Sequence, residues 1–203
     1  MITAIIFDLG GVLIDWNPEH LYRKIFKDES DMQHFLEKVC TPEWNEEQDA
    51  GRTLKEATDT LVKEYPEYEE NIRVYYDRWQ EMLAGTIEGT VDIFKKLKGS
   101  KKFKLYALTN WSAETFPIAL EKYKFLEWFN GVVVSGTEKK RKPFPEFFHI
   151  LLDRYNLKAE EAIFIDDNIR NVDAAKRVGI DAIHFITPQQ LSEELLARRI
   201  DLK

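Results

Sequence analysis

Residues 5–13 read Ile5-Ile6-Phe7-Asp8-Leu9-Gly10-Gly11-Val12-Leu13, and this stretch decides the fold. A short apolar run of strand length meets a carboxylate, and a glycine-bearing turn follows. Asp8 is then held by a rigid element yet exposed at a sheet edge, where open α/β sheets place their chemistry. A carboxylate there can attack phosphorus or carbon and form a covalent intermediate. The plain alternative is a solvated aspartate that ends a strand.

Beyond Ile14 the pattern becomes helical. Asn17-Pro18 and Thr41-Pro42 each read as an N-cap followed by proline at the first helical position, and Gly51 can close the second helix. Thr53-Leu54-Lys55-Glu56 is a capping box whose helix ends at Pro66. Ile72, Tyr75, Tyr76, Trp79, Met82 and Leu83 recur at helical spacing, and no strand is expected before about Ala84. After Gly85 helix and strand alternate. Ile87, Val91, Phe94 and Leu97 share a helix face that Gly99 stops, and 105–108, 132–134, 163–165 and 182–185 are short apolar runs. Helices are expected to begin near Ser112, Phe144, Ile169 and Thr187. This alternation predicts an α/β protein with a parallel sheet covered on both faces. The core comprises 1–15 and 85–203; 16–84 is an all-α cap inserted after the Asp8 turn, over the same sheet edge.

The 203 residues fit one large domain, or a core with a smaller insertion. With 44% hydrophobic residues there is material for a packed core. A net charge of −7 disfavours nucleic acid and anionic membranes as partners; 139–142 is the only strong basic run. Cys40 is the single cysteine, which rules out an internal disulfide and a cysteine metal cluster and suits a reducing, cytoplasmic setting. No signal peptide and no membrane-length apolar run is read. The four histidines, at 20, 34, 149 and 184, show no ligand spacing.

Three further segments supply what Asp8 would need. In Leu108-Thr109-Asn110-Trp111-Ser112, the Thr109 hydroxyl, the Asn110 amide and the N–H groups of a helix start can hold an anion; a plain N-cap by Ser112 or Asn110 is the alternative. In Lys142-Pro143, the lysine can neutralise a phosphate and the nucleophile together, or simply be solvated. In Phe164-Ile165-Asp166-Asp167-Asn168, with Asn171 beyond, two adjacent carboxylates end an apolar strand. That is costly unless a cation or hydrogen bonds compensate. Mg²⁺, a hard ion, would need Asp8 and one of this pair. A helix N-cap at Asp167 explains one aspartate better than two.

Together, Phe7-Asp8-Leu9-Gly10-Gly11-Val12, Leu108-Thr109-Asn110, Lys142-Pro143 and the 165–171 segment resemble the haloacid dehalogenase superfamily of hydrolases. The resemblance covers essentially the whole chain, cap included. It implies a Rossmann-like core with Asp8 as nucleophile, Thr109 and Asn110 on the phosphate, Lys142 as positive clamp, and Mg²⁺ held by Asp8, the Gly10 carbonyl and the aspartate pair. The Asp166-Asp167 pair with Asn171 is similar to the phosphatase domain of soluble epoxide hydrolases, which implies Asp167 as direct ligand with Asp166 and Asn171 behind it. The Asp8-Leu9-Gly10 turn and the Trp111 segment look more like bacterial sugar-phosphatase and dehalogenase-like members.

One position departs from the pattern. Phosphatases of this superfamily usually carry a general acid two residues after the nucleophile, and here that residue is Gly10. Asp15 is the nearest replacement in sequence, with Glu46 and Glu47 of the cap further off. Trp44 and Trp111 are candidates for substrate contact or for packing. The expected activity is Mg²⁺-dependent hydrolysis of a small phosphorylated metabolite, with a sugar phosphate as one candidate, through an aspartyl-phosphate. The rivals are a 2-haloacid dehalogenase and a slow or silent binding protein on the same fold. The sequence names neither the substrate nor the oligomeric state.

Overall fold

The computed structural model describes residues 1–202. The chain runs through β1 (Ala4–Phe7) and β2 (Ile14–Trp16) into five helices: α1 (Glu19–Tyr22), α2 (Glu29–Lys38), α3 (Pro42–Asp49), α4 (Leu54–Glu64) and α5 (Glu69–Asp77). It returns through β3 (Leu83–Thr86) to α6 (Glu88–Ser100), β4 (Lys104–Thr109), α7 (Phe116–Lys122), β5 (Gly131–Val134), α8 (Ser135–Glu138) and α9 (Pro145–Arg154). The last elements are β6 (Ala162–Asp166), α10 (Ile169–Arg177), β7 (Asp181–His184) and α11 (Pro188–Ala197).

Five strands form one parallel sheet in the order β5-β4-β1-β6-β7. Side chains alternate across a strand, so each strand feeds two cores. Ile5, Phe7, Leu105, Ala107, Ile163 and Ile165 pack with Val91, Phe94 and Leu97 of α6 and Leu191 and Leu195 of α11. On the other face Ile6, Leu108 and Phe164 meet Phe147, Phe148 and Leu151 of α9 and Val172 of α10. Strands buried on both faces explain why the runs read as continuously apolar. β1 lies between β4 and β6, so Asp8, Thr109 and Asp166 belong to the carboxyl ends of three neighbouring strands.

The helical caps follow their local chemistry. Thr41 Oγ1 accepts from Trp44 N at 3.1 Å, and Thr53 Oγ1 from Glu56 N at 3.2 Å. Tyr22, Phe35 and Tyr75 form a buried aromatic cluster, with Tyr22 and Phe35 centroids 4.9 Å apart. Trp44 joins it edge-on to Tyr75, so it serves as cap core.

Four local expectations are corrected. β2 and β3 pair antiparallel around the helical segment, where no strand was expected; three- and four-residue strands carry too little periodicity to read. Leu83 consequently sits in β3, outside the helical run, because α5 stops at Asp77 and a 3₁₀ turn spans Trp79–Met82. Gly99 lies inside α6, and Lys101 supplies the left-handed residue (φ 57°) that ends it. The helix after β4 starts at Phe116 rather than near Ser112. We propose the β2–β3 ribbon as the boundary between core and cap.

Candidate active site

The centre of the site is a buried ammonium. Lys142 is fully buried, and its Nζ lies 2.7 Å from both Asp8 Oδ2 and Asp166 Oδ2. A lysine in such a place is tolerated only when paired. Burial alone would lower its pKa, but the Asp166 and Asp8 charges outweigh burial and raise it. Asn110 fixes the backbone behind it: Asn110 Nδ2 donates to Lys142 O at 3.0 Å, and Lys142 N donates to Asn110 Oδ1 at 2.9 Å.

The two aspartates of the pair have different surroundings. Asp166 is fully buried and saturated by protein donors: Lys142 Nζ, Asn168 N at 2.8 Å, and Asn171 Nδ2 at 3.1 Å from each oxygen. Among the described residues no side chain donates to the Asp167 carboxylate. Desolvation and the nearby Asp166 charge raise its pKa, although the residue as a whole is exposed. The N-cap of α10 is Asn168, whose Oδ1 accepts from Arg170 N, so Asp167 is free of the capping role.

Asp8 is buried, and its Oδ1 accepts from Leu9 N at 2.7 Å. Burial pushes its carboxyl well above the usual range; Lys142 opposes this, while the Asp166 and Asp167 charges add to it. Carboxylate oxygens of Asp8, Asp166 and Asp167 all lie within 4.8 Å of one another. Three carboxylates thus face one ammonium, and a divalent cation would make up the shortfall. The donor set fits Mg²⁺: hard oxygens from Asp8 and Asp167, with the Gly10 carbonyl at the same cleft. Gly11 is shaped to this corner. Its φ is +72°, and a Cβ there would fall 2.2 Å from Asp167 Oδ2.

Beside this corner the Thr109 hydroxyl is buried with no hydrogen-bond partner. An orphaned buried hydroxyl is costly unless a ligand satisfies it, and an anion at the Asp8 edge would do so. Asn110 lines the same cleft, and its side chain also has a structural tie. Its amide is engaged with the Lys142 backbone, and no helix starts beside it, since α7 begins at Phe116. The amide ties down the Lys142 backbone.

The candidates for a replacement acid separate clearly. Asp15 lies in β2 and pairs with His20 Nε2 at 3.0 Å; it does not line the cleft. Glu46 faces the cleft but is held by Arg141 at 2.8 Å and Arg170 at 2.5 Å. Glu47 lies 3.7 Å from Arg141 and is mostly exposed. Trp111 is buried against Trp79 and Phe116, donates from Nε1 to Thr115 Oγ1, and forms a cleft wall. One residue missed in the sequence is Asp49, the last of α3, which lines the same cleft as Asp8, Gly10 and Asn110. Its neighbours Glu46, Glu47 and Gln48 gave no signal to set it apart.

The haloacid dehalogenase-like hydrolase family model matches residues 5–185. The chain belongs to this family. It is 29% identical over 183 residues to sesquiterpene phosphatase astK of Aspergillus oryzae, covering 90% of this chain and 89% of that protein. It is 26% identical over 190 residues to a phosphorylated carbohydrates phosphatase of Thermotoga maritima, covering 90% and 84%. Against drimenol cyclase drtB of Aspergillus calidoustus the identity is 26%, and the match spans 36% of that longer protein. An enzyme of the family from Bacteroides thetaiotaomicron, solved as an Asp-to-Ala mutant with magnesium and inorganic phosphate, superposes with a TM-score of 0.69 at 20% identity, covering 92% and 95% of the two chains.

The two glycines of the turn should respond differently to substitution. Gly11→Ala combines positive φ with a clash on Asp167 and is expected to destabilise by more than about 1 kcal/mol. Gly10 has no such φ and open space where a Cβ would go, so Gly10→Ala should melt within a few degrees of the parent. Thermal denaturation of the two variants checks the contrast; a stable Gly11→Ala protein would contradict it.

Proposed function

We propose that the protein is a Mg²⁺-dependent phosphomonoester hydrolase acting on a small phosphorylated metabolite through an aspartyl-phosphate on Asp8. The observation that carries this reading is the fully buried Lys142 bridging Asp8 and Asp166, with Asp167 left without a side-chain donor among the described residues at the same corner. Asp8 is the carboxylate free to react, because Asp166 is saturated and Asp167 is placed to ligate. Lys142 holds Asp8 in position and neutralises charge as a phosphoryl group approaches. The Thr109 hydroxyl donates to a phosphoryl oxygen. Positioning and charge stabilisation of this kind dominate phosphoryl transfer. A bound Mg²⁺ would supply Lewis-acid stabilisation of the phosphoryl charge from Asp8, Asp167 and the Gly10 carbonyl.

Relatives named as phosphatases of sesquiterpenes and of phosphorylated carbohydrates, and a magnesium–phosphate complex on the same fold, support the reaction class. A sugar phosphate remains one member of the proposed substrate class. No helix among the described residues is long and apolar enough to cross a membrane, and the lone buried Cys40 suits a reducing, cytoplasmic setting. The 2-haloacid dehalogenase reading is weaker, because a carboxylate substrate would meet three carboxylates and one ammonium.

Hydrolysis of small phosphate esters is expected to require Mg²⁺ and to be lost in Asp8→Asn. Turnover after thorough chelation, or turnover by Asp8→Asn, would contradict the assignment; metal-free halide release from a 2-haloacid would favour the rival.

The aspartate pair gives a second test. Asp167→Ala is expected to weaken Mg²⁺ binding with little loss of stability. Asp166→Ala removes a partner of a buried charge and should cost about 3–5 kcal/mol in urea denaturation. Its effect on Mg²⁺ binding should be the smaller one. The reverse order in a Mg²⁺ titration by calorimetry would overturn the ligand roles.

A further inference from the structure

Gly10 leaves the Asp8 turn without a proton donor for the leaving group, and the cleft beside Gly10 contains one. A chamber of about 60 Å³ is bounded by Gly10 and Asn110 from the core, by Asn45 and Asp49 from α3, and by tryptophans including Trp16 and Trp111. Asp49 also faces the wider cleft that Asp8 and Asp167 line. The chamber and the Asp8 cleft share Gly10, Asn45, Asp49 and Asn110 in their walls, so the two spaces adjoin. We propose that Asp49, supplied by the cap, is the general acid and base that replaces the missing aspartate at Gly10. The proposal rests on the phosphatase reading above and assigns that reaction a residue.

Asp49 is held by a directed chain of hydrogen bonds. Arg52 Nε donates to Gln48 Oε1 at 2.8 Å, and the fully buried Gln48 donates from Nε2 to Tyr76 Oη at 2.8 Å. Tyr76 donates to Asn45 Oδ1 at 3.1 Å, and Asn45 Nδ2 points at Asp49 Oδ2 at 3.4 Å. Every donor in the chain faces towards Asp49, and the Ser112 backbone N–H meets the same carboxyl from the core, so the side chain is located where it lines the chamber. Among the described residues no cation forms an ion pair with Asp49. Arg141 and Arg170 are engaged with Glu46, and Lys142 with Asp8 and Asp166.

The electrostatics suit proton transfer near neutrality. Desolvation, then the Glu46 charge on its own helix, raise the Asp49 carboxyl to about 7, against the pull of Arg141 and Lys142 from the opposing loop and the Ser112 amide. Tyr75 and Tyr76 face it from α5 and remain neutral, their hydroxyls pushed up by burial. An acid poised near the working pH is the most effective kind.

The steps balance. An Asp8 oxygen attacks phosphorus, the ester P–O bond breaks, and the leaving oxygen takes the Asp49 proton to depart as an alcohol. The Asp49 carboxylate then takes a proton from the water that attacks the aspartyl-phosphate. The P–O bond to Asp8 breaks, inorganic phosphate leaves, and Asp49 is protonated again.

The test compares the parent protein and Asp49→Asn in single turnovers with Mg²⁺, using an alkyl phosphate and 4-nitrophenyl phosphate. Nitrophenolate departs without a proton, whereas an alkoxide does not. Release of the alcohol by Asp49→Asn is expected to slow by about 10²–10⁴-fold, with release of nitrophenol changed by less than about tenfold. Phosphoryl-enzyme should then accumulate, because the water has lost its base. In the parent, alcohol release should fall as pH rises through about 7, and the variant should lack that limb. The amide is nearly isosteric. A carboxyl raised in the folded state is penalised as pH climbs above its unfolded value, so Asp49→Asn should melt no lower than the parent near pH 8. Gly10→Asp, whose Cβ meets nothing within 4 Å, should restore part of the alkyl activity to Asp49→Asn. Equal losses on both esters, or unimpaired alcohol release, would overturn the assignment of Asp49. A parent protein silent on both esters would instead contradict the phosphatase reading and remove the proposal with it.

Discussion

The ammonium of Lys142 is the constraint on which the site depends. A buried lysine needs counter-charges within contact distance, and here Asp8 and Asp166 both lie 2.7 Å away. Those aspartates follow or end neighbouring strands, so the β4-β1-β6 order of the sheet is a condition of the pairing. The lysine itself arrives on a loop, and the Asn110 amide closes that loop onto the end of β4 through two backbone hydrogen bonds. Asn168 and Asn171 of the following turn and helix complete the Asp166 carboxylate. Sheet topology, loop conformation and side-chain charge thus converge on one ammonium, and three carboxylates meet there against its single positive charge.

The cap is tied to this centre by the same loop. Arg141, next to Lys142, reaches across to Glu46 of α3, and Arg170 of α10 meets Glu46 from the other side. Exposed ion pairs contribute little, but the Arg141 and Glu46 side chains retain only 16% and 19% exposure. One turn of α3 therefore has two duties: Glu46 latches the cap to the core, and Asn45 and Asp49 look into the chamber.

Much of the architecture was legible in the sequence. The parallel core was readable because strands buried on both faces are continuously apolar, and the cap helices because threonine caps and prolines mark their starts. Asp8, Asp166 and Asp167 could be singled out because charge at the end of an apolar strand demands an explanation, and Lys142 because it stands before a proline in the family pattern. The ribbon of β2 and β3 was hidden by its brevity. The tie from Asn110 to the Lys142 backbone was hidden because an amide that binds backbone and one that binds an anion look alike until the loop carrying Lys142 is placed. Asp49 was invisible for a different reason. It sits in an acidic helix where four carboxylates look equivalent, and only the fold shows that two are engaged with arginines while one meets a tryptophan-lined chamber.

Covalent chemistry at Asp8 is the central claim, and one measurement addresses it directly. The protein is mixed with Mg²⁺ and excess phosphate ester, quenched in acid during turnover, digested and mapped by mass spectrometry. The account predicts a single phosphoryl group on the peptide that carries Asp8. Turnover with Asp8 unmodified throughout, or with the phosphoryl group on another residue, would contradict it.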